Sequence, residues 1–459
     1  MDNAKLNLES LIDSAALRSF HFMVMGCCAL TAMLDGFDTQ SIAFVVPDIA
    51  TAWSIEPARF APVFGAGLFG GLLGAIAFGR AGDRFGRRPT LLLSVLLFAV
   101  GSLVTPAAGS LRELGAARLV TGIGLGGALP AAIALTSEYA PRHLRTTLVS
   151  LMFCGFPLGA VLGGLASAKL IAAFGWQSVF IVGGALPLAL LPLLLALLPE
   201  SVRFLAANGR REAVARILAS LRCLDRWNGT PAARWAVEPR ARLSSLLTRG
   251  RAAGTGLLWA TFFLSLLVTY FLINWIPVVA HRNGLDTSTA VVAVAMLNLG
   301  SIVGSLVIAR LADWSDRGST IGWAYAIGAI AIALIGYAGG SGGWLCALTF
   351  VAGLCSIGAQ MCTVALCSGF YDTPVRATGI GWSMGVGRIG AIAGPVLGGL
   401  LLGAAGVSSP ILFFIAGAAS LGAAIAVFAL KRFVLDRHPS APVESSTAPL
   451  AGDLLRRTG

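Results

Sequence analysis

The sequence predicts an all-α polytopic membrane protein, with twelve transmembrane helices in two six-helix pseudo-symmetric bundles. Three observations lead there. Of 459 residues, 56% are hydrophobic and only 12% charged, about half the charge of a soluble globular chain. Apolar stretches of about 20 residues, each long enough to cross a bilayer, recur from Phe20 to Leu430. A charged motif between two of these stretches returns 230 positions later, so the chain is doubled.

Taken in order, helices are expected near 20–46, 58–79, 89–108, 113–137, 146–168 and 174–197, each ended by charged residues or by Pro and Gly. Six more follow near 253–280, 288–310, 320–338, 343–369, 378–404 and 409–430. The chain then divides into a cytoplasmic segment 1–19, a first bundle 20–199, a basic cytoplasmic linker 200–251, a second bundle 252–432 and a polar tail 433–459 whose composition predicts disorder. The first 19 residues hold Asp2, Glu9 and Asp13 and lack a basic n-region and a small-residue cleavage site. The first apolar stretch is therefore expected to be a membrane helix and not a signal peptide.

Charge gives the orientation and removes other functions. With the N-terminus inside, the outer loops hold only Arg59, Arg112, Lys169 and Arg282 of the 33 Lys and Arg residues, which places both termini in the cytoplasm. The formal charge of +12 is thereby accounted for without nucleic acid. The 8 cysteines form no CxxC pair and His21, His143, His281 and His438 are scattered, so no metal site or disulfide framework is expected. No activated nucleophile sits beside a base, and a cofactor-free protein that is not an enzyme is expected.

The doubled motif reads Gly79-Arg-Ala-Gly-Asp83-Arg84-Phe-Gly-Arg87-Arg88, then Ala309-Arg-Leu-Ala-Asp313-Trp-Ser-Asp-Arg317. Parallel repeats imply a pseudo-two-fold axis along the membrane normal and a substrate site near the midplane, between the halves. That is a transporter's arrangement. Charges inside the apolar stretches then become candidates for the site. Asp35 and Asp38 in helix one are three positions apart and share a helix face; two buried acids repel when both are ionised, so the pair is expected to take up and release a proton. Pairing of either with an Arg is the structural alternative.

Arg118 in helix four costs about 2.5–3.5 kcal/mol in mid-membrane, recovered either by an anion in the cavity or by a carboxylate partner. Gly122, Gly124 and Gly126 beyond it allow close helix approach. Arg388 in helix eleven, among Gly385, Gly387 and Gly390, carries a fork that fits a substrate carboxylate, with pairing to Asp35 or Asp38 as the alternative. Asn274 and Gln360 are candidates for holding a hydroxyl. Phe37, Tyr270, Trp275 and Trp382 are candidate aromatic walls, or else ordinary packing and interfacial anchors.

The stretch Gly79 to Arg88 resembles the signature of the major facilitator superfamily, and Arg118 to Gly126 resembles that family's RxxxGxGxG pattern. Asp35-Gly-Phe-Asp38 resembles the helix-one motif of its aromatic acid:proton symporter branch, and Phe271 to Pro277 and Arg376 to Arg388 resemble the hydroxyphenylpropionate and hydroxybenzoate carriers. The resemblance implies the major facilitator fold and proton-coupled uptake of an aromatic monocarboxylate by alternating access, in a monomer of the bacterial inner membrane. It assigns proton coupling to Asp35 and Asp38, substrate contact to Arg118 and Arg388, and conformational gating to Asp83, Arg84, Arg87, Glu138 and Asp313. The second motif copy departs from the pattern, with Ala309 for a Gly and Gly318 where a second Arg would stand. A sugar or polyol symporter is the nearest rival, disfavoured because a neutral sugar offers no charge to two buried Arg residues. A drug exporter is the next, disfavoured by the lack of a Gly-Pro order in helix five.

Overall fold

Twelve apolar helices dominate the computed structural model, which describes residues 8–13, 15–141, 144–221, 223, 243–248, 251–371, 373–403 and 407–432. They are α1 (Ser19–Trp53), α2 (Pro57–Phe85), α3 (Arg87–Ala107), α4 (Leu111–Tyr139), α5 (Thr147–Phe174), α6 (Gln177–Leu197), α7 (Ala252–Arg282), α8 (Thr287–Ala312), α9 (Arg317–Ile335), α10 (Gly342–Phe370), α11 (Thr378–Gly403) and α12 (Ser409–Leu430). All twelve expected helices are present. The largest boundary difference is in α1, which runs through Pro47 instead of ending before it. It stops where Ser54 adopts a left-handed conformation (φ 53°) and its N–H caps the carbonyls of Ala50 and Thr51. Inside a packed bundle a helical proline is tolerated, so the cap and not the proline sets the end.

Polar caps mark the ends of other helices. Side chains of Ser110, Asp286, Asp316 and Ser341 accept from the first free amides of α4, α8, α9 and α10, satisfying donors that the helix cannot. The Thr289 hydroxyl and neighbouring amides hold the Asp286 carboxyl below the ordinary range. On the outside of the bundle, large apolar side chains such as Leu93, Leu158, Leu186, Leu306, Ile330 and Ile425 are exposed, as expected where the solvent is hydrocarbon.

The repeat seen in the sequence is also a repeat of contacts. In the first half α1 packs on α5, α2 on α4 and α3 on α6; in the second, α7 packs on α11, α8 on α10 and α9 on α12. Between halves, α2 meets α11 and α5 meets α8, a pair of contacts that a two-fold axis exchanges, while α1 meets α7.

The buried apolar side chains form three clusters. One takes residues from both halves, including Phe44, Phe60 and Phe64 with Phe271, Trp275, Val291 and Phe413, all towards the end bearing the Ser54–Glu56 and Asn283–Asp286 turns. The other two lie towards the end bearing Gly86, Glu200 and Tyr371, here termed the basic end, and each draws on a single half: Leu91, Leu135, Tyr139 and Leu198 in one, Phe262, Tyr325, Leu366 and Val427 in the other. The halves are therefore sealed together at the far end, while at the basic end each closes its own core.

The stretch after α6 is not a bare connector. Val202–Ala207 and Arg211–Ser220 are helices whose Val202, Leu205, Val214 and Leu218 enter the first-half cluster. Leu11 and Ile12 of the Leu8–Asp13 helix enter the same cluster, and Arg145 ties Asp13 to the start of α5. The tail 433–459 and residues 224–242 lie outside the described residues.

Candidate functional site

Close helix packing positions the first buried charge. A Cβ at Gly122 would sit 2.0 Å from the Gly67 carbonyl oxygen of α2, and one at Gly124 would sit 2.4 Å from the Phe98 amide of α3. Alternate glycines thus wedge α4 between α2 and α3, and Arg118, one turn before Gly122, is held between them facing α1.

Its guanidinium meets Asp38. Arg118 Nη2 lies 2.8 Å from Asp38 Oδ2 and donates to the Asp38 carbonyl at 3.1 Å. The two residues are 3% and 0% exposed, so the pair is buried, with only an edge of Arg118 reaching the cavity described below. Ser102 donates to Asp38 Oδ1, and the Phe180 ring lies under the guanidinium at 5.5 Å. The charge of Arg118 is thus neutralised within the first half.

Asp35, one turn earlier on α1, has a different environment. Thr39 donates to its Oδ1 at 3.0 Å, while its buried Oδ2 has no hydrogen-bond partner. Asp35 and Thr39 line a cavity of about 90 Å³ between the halves, together with Phe64, Arg118, Tyr270, Asn274 and Arg388. Arg388 enters it from α11, its Nη1 beside Gly71. Among the described residues, no carboxylate lies within ion-pair distance of the Arg388 guanidinium. Two Arg residues therefore face one cavity, one of them held by a carboxylate and the other not.

The remaining candidates divide. Asn274 lines the cavity and donates from Nδ2 to the Tyr270 carbonyl at 2.7 Å. Phe37 fills the space left by Gly163 on α5 and Gly183 on α6. Trp275 is fully buried behind Phe64, 5.7 Å between ring centroids, and donates to the Pro395 carbonyl at 3.0 Å. Gln360 is half-buried in α10 and Trp382 is 45% exposed beside Trp259; neither lines the cavity.

At the basic end, Arg87 reaches Asp83 one turn back on α2 at 2.5 Å, and Arg84 lies over the Phe85 ring. Glu138 accepts from Ser201. Asp313 immediately follows α8, in the last turn of the longer helix Thr287–Trp314, with its side chain outside the described residues.

Glu200, which in the sequence only marks the end of helix six, organises this loop. Its Oε1 accepts from the amides of Arg87, Arg88 and Ser201 at 2.8, 3.1 and 2.7 Å. Gly86 (φ 107°) leaves the room, since a Cβ there would lie 2.3 Å from the Glu200 carboxylate. Glu200→Ala would strand the first amides of α3 and is expected to cost about 1–3 kcal/mol, read as a lower unfolding temperature in detergent. Glu200→Gln keeps an acceptor and should lose less.

A second feature invisible in the sequence joins the halves. Gln40 of α1 and Asn298 of α8, both buried, exchange two amide hydrogen bonds of 3.0 and 2.9 Å. Gln40→Leu leaves Asn298 Oδ1 buried without its donor, while Nδ2 keeps only its bond to the Val294 carbonyl at 2.9 Å, a penalty of about 1–3 kcal/mol in this closed arrangement. An impermeant thiol reagent should then label a cysteine placed at Ala58, which abuts Gly403 at the sealed end, several-fold faster. Gln40→Leu with Asn298→Leu should label more slowly than the single variant, because both polar groups are gone.

A family model described as Major Facilitator Superfamily matches residues 28–344 and 293–458. The chain belongs to the major facilitator superfamily. Within it, the chain falls in the aromatic-acid transporter branch. It is 36% identical to the gallate transporter of Pseudomonas putida, over 93% of this chain and 95% of that one. It is 38% identical to the 3-(3-hydroxy-phenyl)propionate transporter of Escherichia coli, over 83% and 87%. The 4-hydroxybenzoate transporter PcaK of Pseudomonas aeruginosa is 36% identical, over 87% and 90%. Among solved structures, the partially occluded inward-open xylose transporter XylE of E. coli superimposes with a TM-score of 0.71 at 19% identity, covering 91% of this chain and 98% of that chain. That likeness concerns the fold. As a major facilitator with twelve spans, the protein is a multi-pass membrane transporter of small organic molecules.

Proposed function

We propose that the protein takes up an aromatic monocarboxylate of the hydroxybenzoate or hydroxyphenylpropionate kind, together with a proton, across the bacterial cytoplasmic membrane. One observation carries the reading: Arg388 faces the cavity with no carboxylate in contact among the described residues, whereas Arg118 is already matched by Asp38. A planar guanidinium fork in a low-dielectric cavity fits a carboxylate bidentately. The gallate, hydroxybenzoate and hydroxyphenylpropionate transporters among the relatives support an aromatic ring as the rest of the ligand.

Charge arithmetic within the cavity suggests the coupling. The Asp38–Arg118 pair sums to zero, which leaves Asp35 and Arg388. With Asp35 ionised these two also balance, and an incoming anion would leave a net negative charge in a site poor in water. A proton on Asp35 removes that surplus, so anion and proton enter most favourably together. One proton per monoanion moves no net charge, so the membrane potential contributes nothing and a pH gradient drives accumulation.

The sealed far end and the separate cores at the basic end support alternating access, with the basic end read as cytoplasmic and this state as inward-facing. Asp83, Arg84, Arg87, Glu138 and Asp313 are proposed to bias the two states through contacts at that surface. The test is uptake of labelled benzoates, phenylpropionates and hexoses in a transport-deficient host, and then in vesicles with an acid-outside gradient. Competition by glucose but not by aromatic acids, or accumulation indifferent to the pH gradient, would overturn the reading.

A further inference from the structure

We propose that Asn274 determines specificity by demanding a hydrogen-bond donor, a ring hydroxyl, on the aromatic acid. The proposal rests on the aromatic-acid reading above and adds to it the residue that senses the ring substituent. Asn274 lies one turn after Tyr270 on α7, and the contact of its side chain with the Tyr270 carbonyl is 2.7 Å. A carbonyl oxygen only accepts, so the atom facing it must be Nδ2 and the amide cannot be flipped.

Oδ1 therefore points the other way. It accepts from no group among the described residues, while Asn274 is 4% exposed and lines the cavity. The cavity thus presents an obligate acceptor that the protein itself does not satisfy.

The donors around it are committed elsewhere. Thr39 donates to Asp35 and Arg118 to Asp38, and Arg388 is assigned to the substrate carboxylate. The Tyr270 hydroxyl, as donor and acceptor alike, does not discriminate between substituents. A ligand that brings an O–H satisfies Oδ1; one that brings hydrogen, fluorine or a methyl ether leaves it buried against a group that cannot donate. Sites built to bond a substrate hydroxyl reject the analogue lacking it strongly, because their own polar group is stranded.

The test compares 3- and 4-hydroxybenzoate with 3- and 4-fluorobenzoate, since fluorine is close to a hydroxyl in size and donates nothing. The readouts are uptake in cells and binding to purified protein by calorimetry. The native protein should prefer at least one hydroxy acid over its fluoro counterpart by about tenfold or more. Asn274→Leu, close in volume, should bring the hydroxy acid down to the fluoro level while fluorobenzoate binding stays within about threefold, and Asn274→Ala should do the same if leucine crowds the cavity. Binding of fluoro and hydroxy acids alike by the native protein, or a preference that survives in both variants, would overturn the assignment and leave the aromatic-acid reading intact. Parallel loss of both acids in both correctly inserted variants would also overturn it, making Asn274 a structural residue. If the native protein binds no aromatic acid at all, the functional reading falls and this assignment with it.

Discussion

Arg388→Ala is expected to abolish uptake of aromatic acids in protein that still inserts and folds, because the substrate carboxylate would enter a water-poor cavity with no charge to meet it. An unpaired carboxylate in such a place costs several kcal/mol, and each 1.4 kcal/mol is a factor of ten in binding, so a loss of at least a hundredfold is expected. The folded protein should tolerate the change, since Arg388 holds no carboxylate within ion-pair distance among the described residues. Arg388→Lys separates charge from geometry: the ammonium keeps the attraction but not the two-pronged fit, and should weaken binding about tenfold while leaving measurable transport. Arg388→Ala with Asp35→Asn probes the rival reading, in which Arg388 serves only to offset Asp35. Restored uptake in that double variant, measured beside the single one, would defeat the substrate assignment.

The legible part of this molecule was the part written in periodicity. Apolar runs of bilayer length and a motif repeated at 230 positions reveal twelve helices and a doubled bundle, because a helix in lipid satisfies its own backbone and needs only length and apolarity. Proline misled once, at Pro47, since within a packed bundle helix ends are set by caps such as Ser54. Buried charges were also legible as candidates, because Asp, Arg and Asn in apolar runs are costly enough to need a reason.

Their partners were not legible. Thr39 stands one helical turn from Asp35, within reach of a spacing argument, but Ser102 and Asn298 lie 64 and 258 positions from Asp38 and Gln40, on helices whose facing residues only the packing decides. Nor does sequence distinguish two mid-membrane arginines: that Arg118 is neutralised by Asp38 while Arg388 faces the cavity depends on how the glycines of α4 and α2 interlock. Gln360 and Trp382 were equally plausible by composition, and it is their positions on α10 and α11 that leave them away from the cavity.

The two acids of helix one should fail in different ways when neutralised, and that contrast is the sharpest test of the charge arrangement. Asp38→Asn takes the carboxylate from a guanidinium that is 3% exposed, and breaking one side of a buried pair costs about 3–5 kcal/mol. The expected result is poor yield and a much lower unfolding temperature. Arg118→Gln should be as damaging, because it strands Asp38 instead. Asp38→Asn with Arg118→Gln leaves no charge in that place and should recover most of the stability, so stability restored without transport would show that the pair also shapes the cavity. Asp35→Asn removes no ion pair among the described residues; Thr39 retains an oxygen to donate to, and the amide stands in for a protonated acid. The protein should fold normally and exchange labelled for unlabelled substrate at near-native rates, because the cavity is permanently ready for an anion. Accumulation driven by an acid-outside gradient should vanish, since no proton needs to accompany the substrate. Full gradient-driven accumulation by Asp35→Asn would exclude Asp35 as the coupling acid, and stable, fully active Asp38→Asn would mean that the charge of Arg118 is met by something other than Asp38.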